Sequence, residues 1–354
     1  MRNVCLVVPE FPPRSGGVAD YTARIREELI ATGNYAVDVV CCRERPSDAT
    51  DEAGVSWIGE ANRKKLEKIL REFRGDVVLQ CSAYGFQKRG VPLWLASVLK
   101  NFRKTNSHAR LVTMFHELGG SGPITTSGFW LSPAQWWTLT TIAKMSDQCI
   151  TNRSAYARFL AKATGRDVPS LPVFSHAGEP DAVPPISARK RRLLVFGSKS
   201  WRERAFREDN AAMTKACRAL RLSEILNVGE ATQLIPEQVE QIPVRNSGWV
   251  AKDELSQLFR ESVAGFFSYP VDFLGKSTIF SSYCANGTVP VGAAPNIPAG
   301  EGLNVSEHYL LAEILPDHLD DGELQVISDK VRAWYHPHRV AAHVELYKQV
   351  LSGR

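Results

Sequence analysis

GFFSYPVDFLGKSTIFSSYCANGTVPVG, residues 265–292, is the stretch on which the fold turns. Val263 to Phe267 is an apolar run of strand length, and Pro270 to Gly275 is a loop. Lys276-Ser277-Thr278 opens a helix that stops at Asn286-Gly287, and a second strand follows at Thr288 to Val291. Gly287 stands where a helix end calls for a left-handed residue, a conformation glycine adopts without a Cβ clash. A helix N-terminus behind a glycine, with a lysine and two hydroxyls in its first turn, is a prepared anion site, because free N–H groups and the positive end of the helix dipole meet there. The same residues fit equally an ordinary turn at Gly275, a capping Ser277 and a solvated Lys276. A Walker A loop is excluded, since its first glycine would fall on Pro270.

Strands and helices alternate outward from this stretch, which implies parallel sheets covered on both faces. The first strand, Val4 to Val8, leads into Pro9-Glu-Phe-Pro-Pro-Arg-Ser-Gly-Gly17 and a helix from Val18 to about Thr32. That glycine pair is not the Gly-x-Gly-x-x-Gly fingerprint, and no acidic residue suited to a ribose follows at the usual distance, so a dinucleotide fold is disfavoured. Further strands are read at Ala36–Cys41, Val55–Ile58, Val77–Cys81 and Arg110–Phe115, with helices at Asn62–Phe73 and Val91–Phe102. His116 and Glu117 close the Arg110–Phe115 strand, before Leu118-Gly-Gly-Ser-Gly-Pro123. Open parallel sheets bind ligands beyond the carboxyl ends of their strands, which makes His116 a candidate functional residue. Phe129-Trp130 and Trp136-Trp137 suit a core, and beside a cleft such rings also stack on sugar or dip into lipid.

A helix at Pro133–Met145, a strand at Gln148–Thr151 and a helix at Ser154–Ala163 complete a first domain, residues 1–172. Prolines and a glycine mark 173–190 as a linker. The second domain, 191–335, begins with the strand Arg192–Phe196 and Gly197-Ser-Lys-Ser-Trp-Arg-Glu-Arg204, which repeats the design of the first strand with Lys199, Arg202 and Arg204 at a helix start. Residues 336–354 form a last helix after a break at His336-Pro337-His338; two histidines hint at a metal, but a helix break accounts for them better.

The chain of 354 residues is 44% hydrophobic, which supplies two cores. Seven cysteines without a Cys-x-x-Cys pair point to a reduced cytoplasmic protein. The apolar opening is too short for a signal peptide, and no run is long enough to span a membrane. A net charge of +5 favours anionic partners, and nothing in the pattern calls for nucleic acid. Arg63, Lys64, Lys65, Lys68, Arg71 and Arg74 flank an apolar stripe of Leu66, Ile69, Leu70 and Phe73, so a peripheral, salt-sensitive contact with an anionic membrane is expected. The stripe itself fits a face turned to the core.

Gly16-Gly17-Val18-Ala19-Asp20-Tyr21-Thr22, Phe115-His116-Glu117, Leu171-Pro-Val-Phe-Ser175 and Gly248-Trp-Val-Ala-Lys-Asp-Glu-Leu255 occur in that order. Together with residues 265–292 they resemble the retaining nucleotide-sugar glycosyltransferases of the GT-B fold, family 4 (group 1) type, along essentially the whole chain. The resemblance implies two doubly wound Rossmann-like domains facing across a cleft, an N-terminal acceptor domain and a C-terminal nucleotide-sugar domain, with the last helix packing back on the first domain. It implies metal-independent hexosyl transfer from a nucleotide-sugar to a glycan or lipid-linked acceptor, in polysaccharide or glycolipid biosynthesis. Carried over by position, Gly16 and Gly17 approach the donor, and His116 lies near the reacting carbon. Ser198, Lys199, Arg202, Arg204 and Lys276 meet the diphosphate, with Gly275, Ser277 and Thr278 beside them, and Trp249 marks the base. The family's two glutamates, eight positions apart, fall on Leu274 and Ser282; Asp272 is the acidic residue near the first. This departure favours, as alternatives, an epimerase or phosphorylase on the same fold, or a non-catalytic binding protein.

Overall fold

Among the described residues, thirteen strands and twelve α-helices alternate and gather into two separate, mainly parallel sheets. The computed structural model describes residues 1–14, 16–120, 125, 127–230, 232–293 and 295–353, with all their side chains except those of residues 127, 128 and 252. Two compact units result: Met1–Pro172 with Val340–Arg354, and Val173–Arg339.

The first unit contains β1 (Arg2–Val8), α1 (Gly17–Ala31), β2 (Tyr35–Cys41), β3 (Val55–Trp57), α2 (Arg63–Glu72), β4 (Asp76–Cys81), α3 (Ala83–Phe86), α4 (Leu93–Thr105), β5 (Leu111–Phe115), α5 (Ser127–Met145), β6 (Gln148–Thr151) and α6 (Ser154–Thr164). Its strands lie in the order β3-β2-β1-β4-β5-β6, all parallel. Residues of α2, α4, α5 and α6 form one core with Cys5, Val7, Val77, Leu79, Cys81 and Phe115. Alternation along a strand turns Gln80 to the opposite face, where α1 and the terminal helix pack against each other. Leu66, Leu70, Ile69 and Phe73 belong to that first core, so the apolar stripe of α2 faces inward and its cations remain for solvent. Pro133 lies inside α5, which therefore starts before the proline at which a sequence reading begins it.

The second unit contains β7 (Lys190–Phe196), α7 (Lys199–Glu208), α8 (Asn210–Ala219), β8 (Glu224–Val228), β9 (Gln238–Val239), β10 (Ile242–Asn246), α9 (Lys252–Glu261), β11 (Ser262–Phe267), α10 (Thr278–Ala285), β12 (Val289–Gly292), β13 (Leu310–Leu311) and α11 (Asp321–Tyr335). The order is β13-β12-β11-β7-β8-β10-β9, and β9 alone runs antiparallel to its neighbour. The stretch read first is the β11–α10–β12 crossover, with Gly287 at φ +62° ending α10 as a left-handed residue. Tyr283 of α10 lies across β11 and donates to the Phe266 carbonyl at 3.0 Å; a Cβ on Gly265 would collide with its ring. Residues before β7 are part of this unit's body, with Phe174, Ala177 and Ile186 buried.

A 3₁₀ turn at His336–His338 joins α11 to α12 (Val340–Ser352). His338 packs on Trp334 at 4.6 Å between ring centroids, and burial lowers its imidazole to about 4. Between 6.5 and about 4 the unfolded chain therefore binds a proton that the folded chain refuses, so stability present above pH 6.5 falls with acidification through that window. Denaturant midpoints measured across it should drop, and His338→Gln should flatten the drop; a parent with no slope there contradicts the burial argument.

Candidate functional site

In each sheet the strand order reverses once, between β1 and β4 and between β7 and β11. There the crossovers leave in opposite directions and open a crevice beyond the carboxyl ends, the place where open α/β sheets bind ligands.

In the second unit, β7 is followed by Gly197, held at φ +143°, and a Cβ there would sit 2.7 Å from Ile279 Cδ1 of α10. Ser198 is the residue before α7 and shares a hydrogen bond with Ser200 at 3.2 Å; Lys199 is exposed in the first turn. Arg202 departs from the expectation that it meets a phosphate. It is 2% exposed and turned inward, donating through Nε to the Gly197 carbonyl at 3.0 Å, through Nη1 to Asn227 at 2.9 Å and through Nη2 to the Glu230 carbonyl at 2.9 Å. Helical periodicity explains this, because Arg202 shares the core side of α7 with Ala205 and Phe206. Burial lowers its pKa. Arg204 faces solvent, pairs with Glu208 at 2.8 Å and lies 5.5 Å over Trp201.

Beyond β11, Val271–Lys276 form a 3₁₀ turn, and Ser277 caps α10 by accepting from the Phe280 N–H at 3.1 Å; Tyr269 also bonds its hydroxyl. Lys276 thus precedes the helix instead of standing in its first turn, and its ammonium lies 5.2 Å from the Phe273 ring. Asp272, Lys276, Ser277 and Thr278 are half-buried, and Gly275 is buried, its carbonyl accepting from Val173 at 2.9 Å. Leu274 is fully buried in the core, and Ser282 is fully buried with its hydroxyl against Ser175 at 3.2 Å and the His176 N–H at 3.3 Å. Neither position offers a carboxylate. The space between the β7 and β11 ends is narrow, about 10 Å³, bounded by Trp201, Arg202, Ser268, Tyr269 and Ile279. Trp249 follows Gly248 (φ +71°) and is 81% exposed. Asp209, at the α7–α8 break, was not legible as a site residue; burial raises its carboxyl.

In the first unit, Gly16 precedes α1, and a Cβ on it would strike the Glu10 carboxylate, whereas Gly17 has open space. The Glu10 carboxylate therefore lies against Gly16, the glycine expected to approach the donor phosphates or sugar. Burial raises the Glu10 carboxyl, and Arg43 and Arg14 lower it in part. His116 is 7% exposed and held at the strand end by its own N–H to the Cys81 carbonyl at 3.0 Å. Its Nε2 meets Gln80 Oε1 at 2.7 Å. Ser82 donates to Glu117 at 2.5 Å. Gln135 of α5 ties this rim together, accepting from the Gly120 N–H at 2.7 Å and donating to Tyr84 and the Arg89 carbonyl, each at 2.9 Å. Trp130 and Trp137 on the outer side of α5 are 69% and 61% exposed, so they are not core. Of the glycine-rich segment after Leu118, residues 121–124 lie outside the described residues. The signal for Gln80 was a polar residue in an otherwise apolar strand.

Among the described residues no three His, Cys, Asp or Glu side chains gather around a common metal position, and no helix is long and apolar enough to cross a membrane.

No family model matches the chain, and no curated protein matches it. Solved structures do. An alpha-glucosyltransferase in complex with UDP-glucose and DNA containing an abasic site is similar at TM-score 0.58 and 12% identity, over 99% of either chain. Alpha,alpha-trehalose 6-phosphate synthase from Burkholderia multivorans is similar at 0.61 and 12%, over 100% of this chain and 97% of its own. A putative UDP-N-acetylglucosamine 2-epimerase from Listeria monocytogenes is similar at 0.61 and 10%, over 99% and 96%. Likeness at this identity establishes the fold, GT-B, for both units.

Arg202→Ala should destabilise the chain by about 2–4 kcal/mol, since it removes three bonds from a buried cation and orphans their acceptors. Arg204→Ala should change stability by roughly 0.5 kcal/mol or less. Chemical denaturation of both variants checks this; a stable Arg202→Ala would return that residue to the ligand-facing set.

Proposed function

We propose that the chain is a nucleotide-sugar-dependent glycosyltransferase with a UDP-sugar donor held by the second unit. The observation that carries this reading is the full-length likeness to enzymes whose structures hold UDP or UDP-glucose. The residues at the β7/β11 crevice have the chemistry the reaction asks for. Breaking the bond between sugar and diphosphate puts negative charge on the leaving phosphate and positive charge on the sugar carbon. Preorganised cations and helix N-terminal amides stabilise that separation. Lys276, Lys199 and Arg204, with the first turns of α7 and α10, serve the diphosphate; Arg202 shapes the crevice from behind. Ser277 and Thr278 add hydroxyls, Asp272 is the nearby carboxylate for the sugar, and Trp249 stacks on the base. The chain's own cations carry the leaving-group charge, so turnover is expected to persist in chelator. His116 orients the transferring sugar. The family resemblance further implies retention of anomeric configuration.

For the acceptor we propose a lipid-linked or other glycan presented at an anionic membrane. The exposed cations of α2 and the exposed Trp130 and Trp137 on α5 suit a charged interface rich in headgroups. Epimerisation of a UDP-sugar is the second reading, favoured by the likeness to the Listeria monocytogenes protein.

Mass-spectrometric assay of UDP-, GDP- and ADP-sugars separates these: slow hydrolysis supports the transferase, an epimer the second reading, and binding without turnover a non-catalytic protein. In that assay Lys276→Ala should weaken nucleotide binding by roughly 1.5–3 kcal/mol, about ten- to a hundredfold, while the fold survives. Unchanged affinity removes Lys276 from the donor site. His116→Ala should lose rate far more than donor affinity; equal rates at saturating donor would remove it from the reacting centre.

Liposome flotation tests the acceptor side. Binding to anionic vesicles should fall with salt and with charge reversal at Lys64, Lys65 and Lys68; failure to float at low salt points to a soluble acceptor, and salt-sensitive retention of duplex DNA instead would indicate a nucleic-acid acceptor.

A further inference from the structure

An open hollow of about 550 Å³ lies at the other edge of the first sheet, ahead of β4 and β5 and beside the last turns of α2 and α4. Arg71, Arg74, Asp76, Thr105, Asn106 and His108 are among the residues that line it. A smaller hollow of about 160 Å³ between the same two helices shares Arg71 and Thr105 and adds Glu67 and Lys104. Cations in a last helical turn ordinarily answer the negative end of the helix dipole and its free carbonyls. Here other donors serve those carbonyls: Arg74 Nη1 bonds the Arg71 carbonyl at 3.0 Å, Asn106 Nδ2 the Leu70 carbonyl at 3.5 Å, and Thr105 Oγ1 the Asn101 carbonyl at 3.1 Å. The carboxylates are matched as well. Asp76 pairs with Arg2 and accepts the Arg110 N–H at 2.8 Å, while Glu67 accepts from Asn101 at 2.7 Å with Arg63 at 3.7 Å. Among the described residues the side chains of Arg71, Lys104 and His108 have no hydrogen-bond or ion-pair partner.

Arg71, Arg74 and Lys104 therefore bring three formal positive charges to one groove whose carboxylates already have partners. A carboxylate ligand would return one charge; a phosphate ester returns about two, and its oxygens match the planar fork of arginine. The volume falls in the range of small-molecule sites, roughly 300–1,000 Å³. We propose that this groove is a second anion site, which takes a phosphate ester or a diphosphate through Arg71, Arg74 and Lys104, with His108 as a ring donor. It lies at the amino edge of the strands and not at the carboxyl edge, so it is distinct from both crevices, and it does not rest on the glycosyl-transfer reading. A free phosphorylated molecule and the headgroup of an anionic phospholipid both carry this chemistry.

Calorimetric titration of the full chain with inorganic pyrophosphate tests the site, and flotation with phosphatidic acid vesicles tests its source. A pyrophosphate site should persist in Lys276→Ala and weaken about tenfold in Arg71→Gln, and further in Arg71→Glu with Lys104→Glu. These side chains are exposed, so thermal unfolding should match the parent's. Flotation that pyrophosphate reverses assigns the site to a lipid headgroup; pyrophosphate binding without flotation assigns it to a free phosphorylated ligand. A parent that binds no pyrophosphate overturns the proposal without any variant having to fold. Affinity that falls only in Lys276→Ala, and stays unchanged in Arg71→Gln, overturns it too.

Discussion

Parallel strands cannot be joined by a hairpin, and everything else in this chain follows from that. Each strand must be followed by a crossover long enough to return to the starting edge, and helices supply it. The helices cover both faces of the sheet, so the strands read as continuous apolar runs and the faces offer no room for chemistry. What remains is the carboxyl edge, where strand ends meet helix N-termini. Gly16 and Gly17 after β1, Gly197 to Lys199 after β7, and Lys276 to Thr278 after β11 stand at that edge, after the strands between which the order reverses.

The same constraint explains which residues were legible. Val4–Val8, Val77–Cys81 and Val263–Phe267 are apolar over strand length, and Gly287 marks a helix end, so the alternation and the two sheets could be read directly. Site residues were harder, because a cation near a strand end looks the same in sequence whether it faces solvent or the core. Arg202 and Arg204 differ by two positions and point to opposite sides of α7; only the helical phase set by Ala205 and Phe206 separates them. Ser277 read equally as a cap or a ligand group, and in the fold it is a cap that leaves Lys276 just ahead of the helix. Tyr347 and His343 gave no local signal of their partners, which lie more than two hundred and sixty residues away for Tyr347 with Gln80, and more than three hundred for His343 with Tyr21.

Buried polar groups divide the two units by what they hold still. In the second unit Arg202 ties the β7 and β8 loops to each other, which fixes the floor of the crevice, and Ser282 ties α10 to residues 175 and 176. In the first unit Gln80 bonds both His116 and Tyr347, and His343 bonds both Tyr21 and the Pro172 carbonyl. Such networks stabilise only when every member is satisfied, and an incomplete one costs more than an apolar core. Tyr347 and His343 of α12 bond Gln80 and Tyr21, and α12 belongs with the first unit although it is the last element of the chain.

The account stands or falls on where the donor binds. Hydrogen–deuterium exchange of the full chain with and without saturating UDP-glucose measures this by segment. Slowed exchange in residues 197–201 and 268–280, the two rims of the β7/β11 crevice, is the predicted result. Protection confined to other segments, or none for any nucleotide-sugar, would contradict it.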